Sequence, residues 1–195
     1  MLNYFIYIAL ALIAAHLYNK LKPRSRKDST IMLIFGSGGH TTELLLMLES
    51  LDVNQYRKVH LIIAETDTWS LTKITDHFKS KMMHPIDLSQ PHENVTIWRV
   101  KRAREVKQSY LTSVWTTLIA LAHSCIIVAI CRVDLIVTNG PGTAVPLVLA
   151  NWLLSKVLGW RSKCLFIESF CRVDSLSLSG KILIPFADKF VVHWA

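Results

Sequence analysis

The sequence predicts an α/β fold: a Rossmann-like, mostly parallel sheet over residues 30–195, preceded by an apolar N-terminal helix. Three observations carry the prediction. Short apolar runs alternate with helix-length segments from residue 31 onward. Two of those runs end in glycine-rich loops, as strands feeding helices do in such sheets. And 195 residues at 51% hydrophobic content suffice for one packed domain plus an appendage. The same numbers exclude a disordered chain, and there is no low-complexity tract or solenoid repeat.

Each element follows from its local pattern. IMLIF (31–35) is a continuous apolar run closed by glycine, the pattern of a strand buried on both faces. TTELLLMLESL (41–51) follows as a helix with Leu44, Leu45, Met47, Leu48 and Leu51 on a broad apolar face. VHLIIA (59–64) is a second strand, the more polar stretch 68–81 is helical in part, and VTIW (95–98) is a third strand. A long apolar helix covers 109–130, and DLIVTN (134–139) is the fourth strand. AVPLVLANWLLSKVLG (144–159) is a helix that tolerates Pro146 in its first turn. KCLFIES (163–169) and KFVVHW (189–194) are the fifth and sixth strands. Parallel pairing of such strands implies right-handed crossovers.

The stretch Ser109–Cys131 admits two readings, because it holds no Asp, Glu, Lys or Arg over 23 residues. A second membrane span would strand the fourth strand and its loop across the membrane from the first. A crossover helix is the expectation. Thr112, Ser113, Thr116, Thr117, His123 and Ser124 are spread through the segment. Leu111, Val114, Trp115, Leu118, Ala122, Cys125, Ile126 and Ala129 form an i, i+3, i+4 stripe. The outer face of that helix is apolar enough to touch lipid. His123 reads as a packed helix histidine with no role.

The N-terminus reads as a membrane anchor (1–19) followed by a basic juxtamembrane linker (20–29). Residues 2–18 carry no charge, and a helix of that length spans most of a roughly 30 Å hydrocarbon core. Tyr4, Tyr7 and Tyr18 suit the two interfaces. Lys20, Lys22, Arg24, Arg26 and Lys27 follow the apolar run and none precedes it, which places the bulk of the chain in the cytosol. The alternative is an unusual signal peptide cleaved near Ala15. With a cytosolic domain, the sequon Asn94-Val95-Thr96 stays unglycosylated. Cys125, Cys131, Cys164 and Cys171 contain no C-x-x-C pair and sit in or beside apolar runs, so they read as reduced, buried thiols.

Two glycine loops face the same end of the predicted sheet. The first is Gly36-Ser37-Gly38-Gly39-His40, continued by Thr41. Glycines bring backbone N–H groups close to a ligand, and a helix N-terminus favours negative charge, so a phosphate or diphosphate is the natural guest. The loop lacks the Gly-Lys-Ser/Thr ending of a Walker motif, and Thr41 stands where a dinucleotide fingerprint has its third glycine. A tight strand–helix turn without a ligand is the plain alternative. His40 can orient or deprotonate an acceptor hydroxyl, donate to phosphate, or merely start a helix. The second loop, Asn139-Gly140-Pro141-Gly142-Thr143, lies at the same carboxyl edge, where ligands bind in such folds.

Five of the nine residues of Arg99–Lys107 are basic. Arg102 and Arg104 suit phosphate or lipid head groups, against the alternative of a solvated charge run. No aromatic platform accompanies them, so nucleic acid is not expected. Glu168 ends the fifth strand and reads either as an acid/base group or as a cap for the loop containing Ser169. Glu65-Thr66-Asp67 reads as turn chemistry, and no metal or other cofactor is expected.

FGSGGHTTELLLML (35–48), RAREVKQS (102–109), TNGPGTAVPL (138–147) and FIESFCRVDSLSLSGKIL (166–183) together resemble the membrane-anchoring subunit of the two-subunit UDP-N-acetylglucosamine transferase of asparagine-linked glycosylation. The similarity covers nearly everything from residue 31. The first loop is also similar to the Gly-Gly-His loop of the bacterial peptidoglycan GlcNAc transferase. The resemblance implies the N-terminal, acceptor-side half of a GT-B glycosyltransferase on the cytosolic face of the endoplasmic reticulum. It implies a soluble UDP-GlcNAc-binding catalytic subunit as partner, and GlcNAc-diphosphate-dolichol as the acceptor of a second, β-1,4-linked GlcNAc. The reaction it implies is inverting and metal-free, with this chain inactive alone. By motif, Gly36, Gly38, Gly39 and His40 would meet the acceptor diphosphate and sugar. Asn139, Gly140 and Gly142 would shape the cleft floor, and Arg102 and Arg104 would hold phosphate or membrane. Family members continue past the strand equivalent to FVVHW, where this chain stops at Ala195; the resemblance implies weaker docking of the partner if that tail serves docking, and the alternative is an incomplete sequence or a variant.

Two rival readings remain at this point. A membrane scaffold would recruit the catalytic subunit and do no chemistry. A membrane-tethered nicotinamide-dependent enzyme would use Gly36–Gly39 with Glu65 on the ribose.

Overall fold

The computed structural model describes residues 25–80, 82, 85–101 and 110–194, apart from the side chains of Arg26 and of 110–116. The anchor segment 1–19, residues 20–24 of the linker, and Arg102 and Arg104 therefore lie outside the described residues. Six strands form one sheet: β1 (Thr30–Ile34), β2 (Lys58–Ala64), β3 (Val95–Val100), β4 (Leu135–Thr138), β5 (Lys163–Ile167) and β6 (Lys189–Val191). Their order is β3-β2-β1-β4-β5-β6, and every neighbouring pair is parallel. Chain order reverses between β1 and β4, which creates the switch point where ligands bind in doubly wound sheets.

Among the described residues, five α-helices cover the sheet: α1 (Gly39–Met47), α2 (Thr68–Ser80), α3 (Tyr110–Cys131), α4 (Ala144–Leu158) and α5 (Leu178–Leu183). The alternation of side chains along β1 divides the interior in two. Ile31, Leu33 and Phe35 pack with Leu44, Leu45 and Leu48 of the α1 segment and with Ile74 and Phe78 of α2. Met32 and Ile34 pack on the other face with Ile127 and Val128 of α3, Leu147 and Val148 of α4, and Leu183 of α5. Both faces of β1 are thus dry, which explains its uninterrupted apolar run.

The structure departs from the sequence expectations at several points. Helix α1 starts at Gly39 rather than Thr41, because Gly38 turns the chain at a φ of +61° directly before it. It stops at Met47, and Leu48–Leu51 closes as a turn, with Leu51 N–H donating to the Leu48 carbonyl at 2.8 Å. Strand β6 ends at Val191, the partner of the last β5 residue, Ile167. Helix α5 lies outside the sequence expectations; Ser177 caps it, its hydroxyl accepting from Gly180 N–H at 2.9 Å.

Helix α3 resolves the choice posed by residues 109–131. It joins β3 to β4, and β4 pairs with β1 in the same sheet, so it is a crossover helix rather than a span. Among the described residues, no helix is long and apolar enough to cross a membrane. The orientation of α3 differs from the predicted stripe. Ala120, Ser124, Ile127, Val128 and Cys131 face the interior, while Leu118, Ala122, Ile126 and Ala129 are exposed. His123 is also exposed, not packed. All four cysteines are free, and burial pushes the thiols of Cys131 and Cys164 up to about 12. The expected burial holds for these two; Cys125 is half-buried and Cys171 is exposed.

Candidate functional site

The two glycine loops meet. A Cβ on Gly36 would lie 2.7 Å from His40 Cβ and 2.8 Å from Pro141 Cβ, so a side chain there would collide with both loops at once. Gly140 has a φ of +87°, and a Cβ on it would sit 2.9 Å from Phe166 Cζ. These two glycines let the loops close over β1 and β4. Gly38, Gly39 and Gly142 do a different job: nothing lies within 4 Å of where their Cβ atoms would be. Their backbone is open to a ligand.

Helices α1 and α4 both start in this cluster without a side-chain cap. The first-turn N–H groups of a helix lack intrahelical partners, and the helix dipole adds positive potential there; in α4 the first of them, Ala144 N–H, donates to the Pro141 carbonyl at 2.9 Å. Three buried polar atoms on the same loops have no partner: His40 Nδ1, Asn139 Oδ1 and Thr143 Oγ1. Ser37 is exposed at the mouth. Uncapped helix ends, open glycines and unpartnered polar atoms together make a receptor for an anionic, hydroxyl-bearing group.

The floor is held by a residue that sequence reasoning missed. Glu43, on the first turns of α1, is buried and reaches three residues on two loops. Its Oε2 accepts from Asn139 Nδ2 at 3.2 Å, and its Oε1 accepts from Ser169 Oγ at 2.9 Å and from Cys171 Sγ at 3.7 Å. Asn139 Nδ2 also donates to the His40 carbonyl at 2.7 Å. One carboxylate thus ties α1 to the loops after β4 and β5. The signal was present: Glu43 is a lone acid amid buried leucines, directly before Leu44 and Leu45.

Two predicted site residues are built into the framework instead. Thr41 is fully buried, its hydroxyl donating to the Gly36 carbonyl and lying 2.9 Å from Ser70 Oγ. Ser70 in turn donates to Asp67 at 2.7 Å, and Asp67 accepts from Ser70 N–H, so Asp67 caps α2 as turn chemistry. Thr41 therefore shapes the loop rather than presenting its hydroxyl to a ligand. Glu168, at 0% exposure, accepts from Ser169 N–H, Ser177 N–H and Ser177 Oγ at 3.0–3.1 Å. Of its two sequence readings, the geometry matches the loop cap. A Cβ on Gly180 would lie 2.6 Å from Glu168 Oε2, so that glycine makes room for the carboxylate.

The comparisons with known proteins identify the family and the fold. The family model described as "Oligosaccharide biosynthesis protein Alg14 like" matches residues 31–195. UDP-N-acetylglucosamine transferase subunit ALG14 of Homo sapiens is 40% identical over 170 residues, covering 87% of this chain and 77% of its own. Its counterpart in Schizosaccharomyces pombe is 36% identical over 203 residues, covering 99% of this chain and 92% of its own. A crystal structure of Acinetobacter baumannii MurG superposes with a TM-score of 0.57 at 16% identity. It covers 85% of this chain and 41% of that one, so the chain spans less than half of MurG and the likeness concerns the fold. On the family match, and on relatives at this level of identity along most of its length, the chain belongs to the Alg14-like family of oligosaccharide biosynthesis proteins.

Proposed function

We propose that this chain is the acceptor-binding subunit of a heteromeric UDP-GlcNAc transferase. It adds the second GlcNAc, β-1,4-linked, to GlcNAc-diphosphate-dolichol. The observation that carries this reading is the convergence of two uncapped helix N-termini with the open backbone of Gly38, Gly39 and Gly142. Such a floor suits a diphosphate, with N–H groups and dipoles already oriented toward it. The sugar hydroxyls then meet His40 Nδ1, Asn139 Oδ1 and Thr143 Oγ1, which lack partners within the chain. The relatives' names as transferase subunits support the assignment of the activity.

In this reading the chain is the N-terminal, acceptor-side half of a GT-B enzyme. A soluble subunit supplies the UDP-GlcNAc site, and the chain is inactive alone. The acceptor O4 attacks C1 of the donor sugar with inversion, and UDP leaves. His40 is the titratable side chain within the loop and takes the hydroxyl proton. Glu43 and Glu168 are positioning residues: they hold the loops and touch no reacting atom. Residues 1–19 anchor the chain in the endoplasmic reticulum membrane with its bulk on the cytosolic face. Arg102 and Arg104 hold phosphate or lipid head groups. The exposed apolar face of α3 (Leu118, Ile119, Ile126, Ile130) supports apposition to lipid.

The test is GlcNAc transfer from UDP-GlcNAc to a GlcNAc-diphosphate-isoprenoid by this chain, by the soluble partner, and by both. Activity is expected only in the mixture, and His40→Ala should lower it by about 10²–10⁴-fold with partner association intact. Full activity of that variant would reduce the chain to a scaffold. Activity of this chain alone would overturn the half-enzyme reading.

A further inference from the structure

A second concavity lies at the opposite edge of the sheet from the glycine loops. It is a cavity of about 710 Å³ at the amino end of β5, walled by the last turns of α4, the Gly159–Ser162 connection and the Pro185–Asp188 segment entering β6. Its size falls within the range of small-molecule sites. The length of β5 puts it roughly 16 Å from the catalytic edge.

The lining is built for a particular chemistry. Asn151 is 3% exposed, and its Oδ1 has no partner; Ser162 Oγ is likewise buried and unpartnered. Both line the cavity, and both call for a hydroxyl-bearing guest. Lys156, Arg161 and Lys163 line it as well and supply positive charge. Asp188 and the negative end of α4 oppose them. Asp188, however, is engaged by Cys164 N–H at 2.8 Å, and a helix end amounts to about half a charge. Trp152, set edge-on to Phe186 at 5.1 Å, and Trp160, under the Arg132 guanidinium at 5.3 Å, add apolar surface of the kind that covers the C–H face of a polyol. Beside the rim, α4 exposes Val157 (69%) and Leu158 (47%), and the end of α3 exposes Ile130 (64%).

We propose that this cavity is a binding site for a phosphorylated polyol: the lysines take the phosphate, and Asn151 and Ser162 take the ring hydroxyls. That chemistry is shared by a free polyol phosphate and by the head group of an inositol lipid, whose acyl chains the apolar rim would meet. The site is independent of the transferase reading.

The test is calorimetric titration of the full-length chain, embedded in phosphatidylcholine nanodiscs, with myo-inositol 1-phosphate and separately with inorganic phosphate. Saturable binding of the inositol phosphate is expected, at least tenfold tighter than inorganic phosphate. It should weaken at least tenfold in Lys156→Gln/Lys163→Gln, whose exposed positions spare the fold, as circular dichroism would confirm. A second arm places phosphatidylinositol in the nanodisc. Loss of binding to the soluble probe there identifies the lipid as the source, and unchanged binding identifies the free polyol phosphate. No saturable binding, equal binding of inorganic phosphate, or binding retained in the lysine variant overturns the proposal.

Discussion

Replacing Glu43 by Gln isolates the brace beneath the proposed acceptor site. The substitution keeps volume and shape and changes one carboxylate oxygen into an NH₂. In the native chain Oε1 accepts from Ser169 Oγ and Cys171 Sγ, and Oε2 accepts from Asn139 Nδ2. If the carbonyl of the new amide takes the Ser169 side, its NH₂ opposes the Asn139 NH₂. Turning the Asn139 amide over does not help, because its oxygen would then face the His40 carbonyl that Nδ2 now meets at 2.7 Å. If the new amide flips instead, its NH₂ opposes Ser169 Oγ, which must surrender its role as donor. Each arrangement leaves about one buried donor unmatched and removes a charge-assisted bond, so the destabilisation expected is about 1–3 kcal/mol. Glu43→Ala removes the acceptor from Ser169 Oγ and Cys171 Sγ, leaves Asn139 Nδ2 with the His40 carbonyl alone, and opens a void, and about 3–5 kcal/mol is expected from the effects together. Urea unfolding followed by circular dichroism measures both, with the slope checked for constancy. Transfer activity of the reconstituted complex should fall along with stability, since the loops move together. A Glu43→Gln chain within about 0.5 kcal/mol of wild type, with full activity, would refute the brace.

Three further outcomes are expected. Burial, helped by Lys58 and Arg57, lowers the His60 pKa to about 4, and Trp98 Nε1 donates to its Nδ1 at 3.0 Å. A folded value below the unfolded 6.5 means that stability is full above pH 6.5 and is lost as pH falls toward 4, by up to about 3 kcal/mol from this group. Urea unfolding between about pH 7.5 and 4 should show a shallower loss in His60→Gln; identical slopes would contradict it. Gly140→Ala must fit a φ of +87° and a contact of 2.9 Å to Phe166, so a loss of about 1–3 kcal/mol is expected in the same unfolding assay. Gly142→Ala meets open space, so stability should stay within about 0.5 kcal/mol while acceptor KM rises, the mark of a residue that matters to the ligand alone.

The strand alternation and both glycine loops were legible in the sequence, because each depends on local periodicity or on backbone freedom that only glycine has. Phe35 closing an apolar run ahead of Gly36 already implied a buried strand and a sharp exit. What could not be read locally was orientation. Helix α3 carries apolar side chains around most of its circumference, so its periodicity pointed to the Leu118–Ile126 face, whereas packing on the sheet and on α4 buries the Ala120–Ile127 face. Nor did the sequence separate side chains that meet a ligand from those that hold the loops. Glu43, inside α1, and Glu168, just past β5, are both acids, and partners that occupy their oxygens come from residues 126 and 9 positions away. Hydrogen-bond satisfaction of a buried carboxylate is a three-dimensional property, settled only when the strands bring distant loops to one edge. The sequence by itself therefore determined the strands, the four longer helices and the two glycine loops, all of which rest on local pattern. The tertiary structure decided the short helix α5 and which polar atoms on those loops lack a partner within the chain, because the partners come from distant segments.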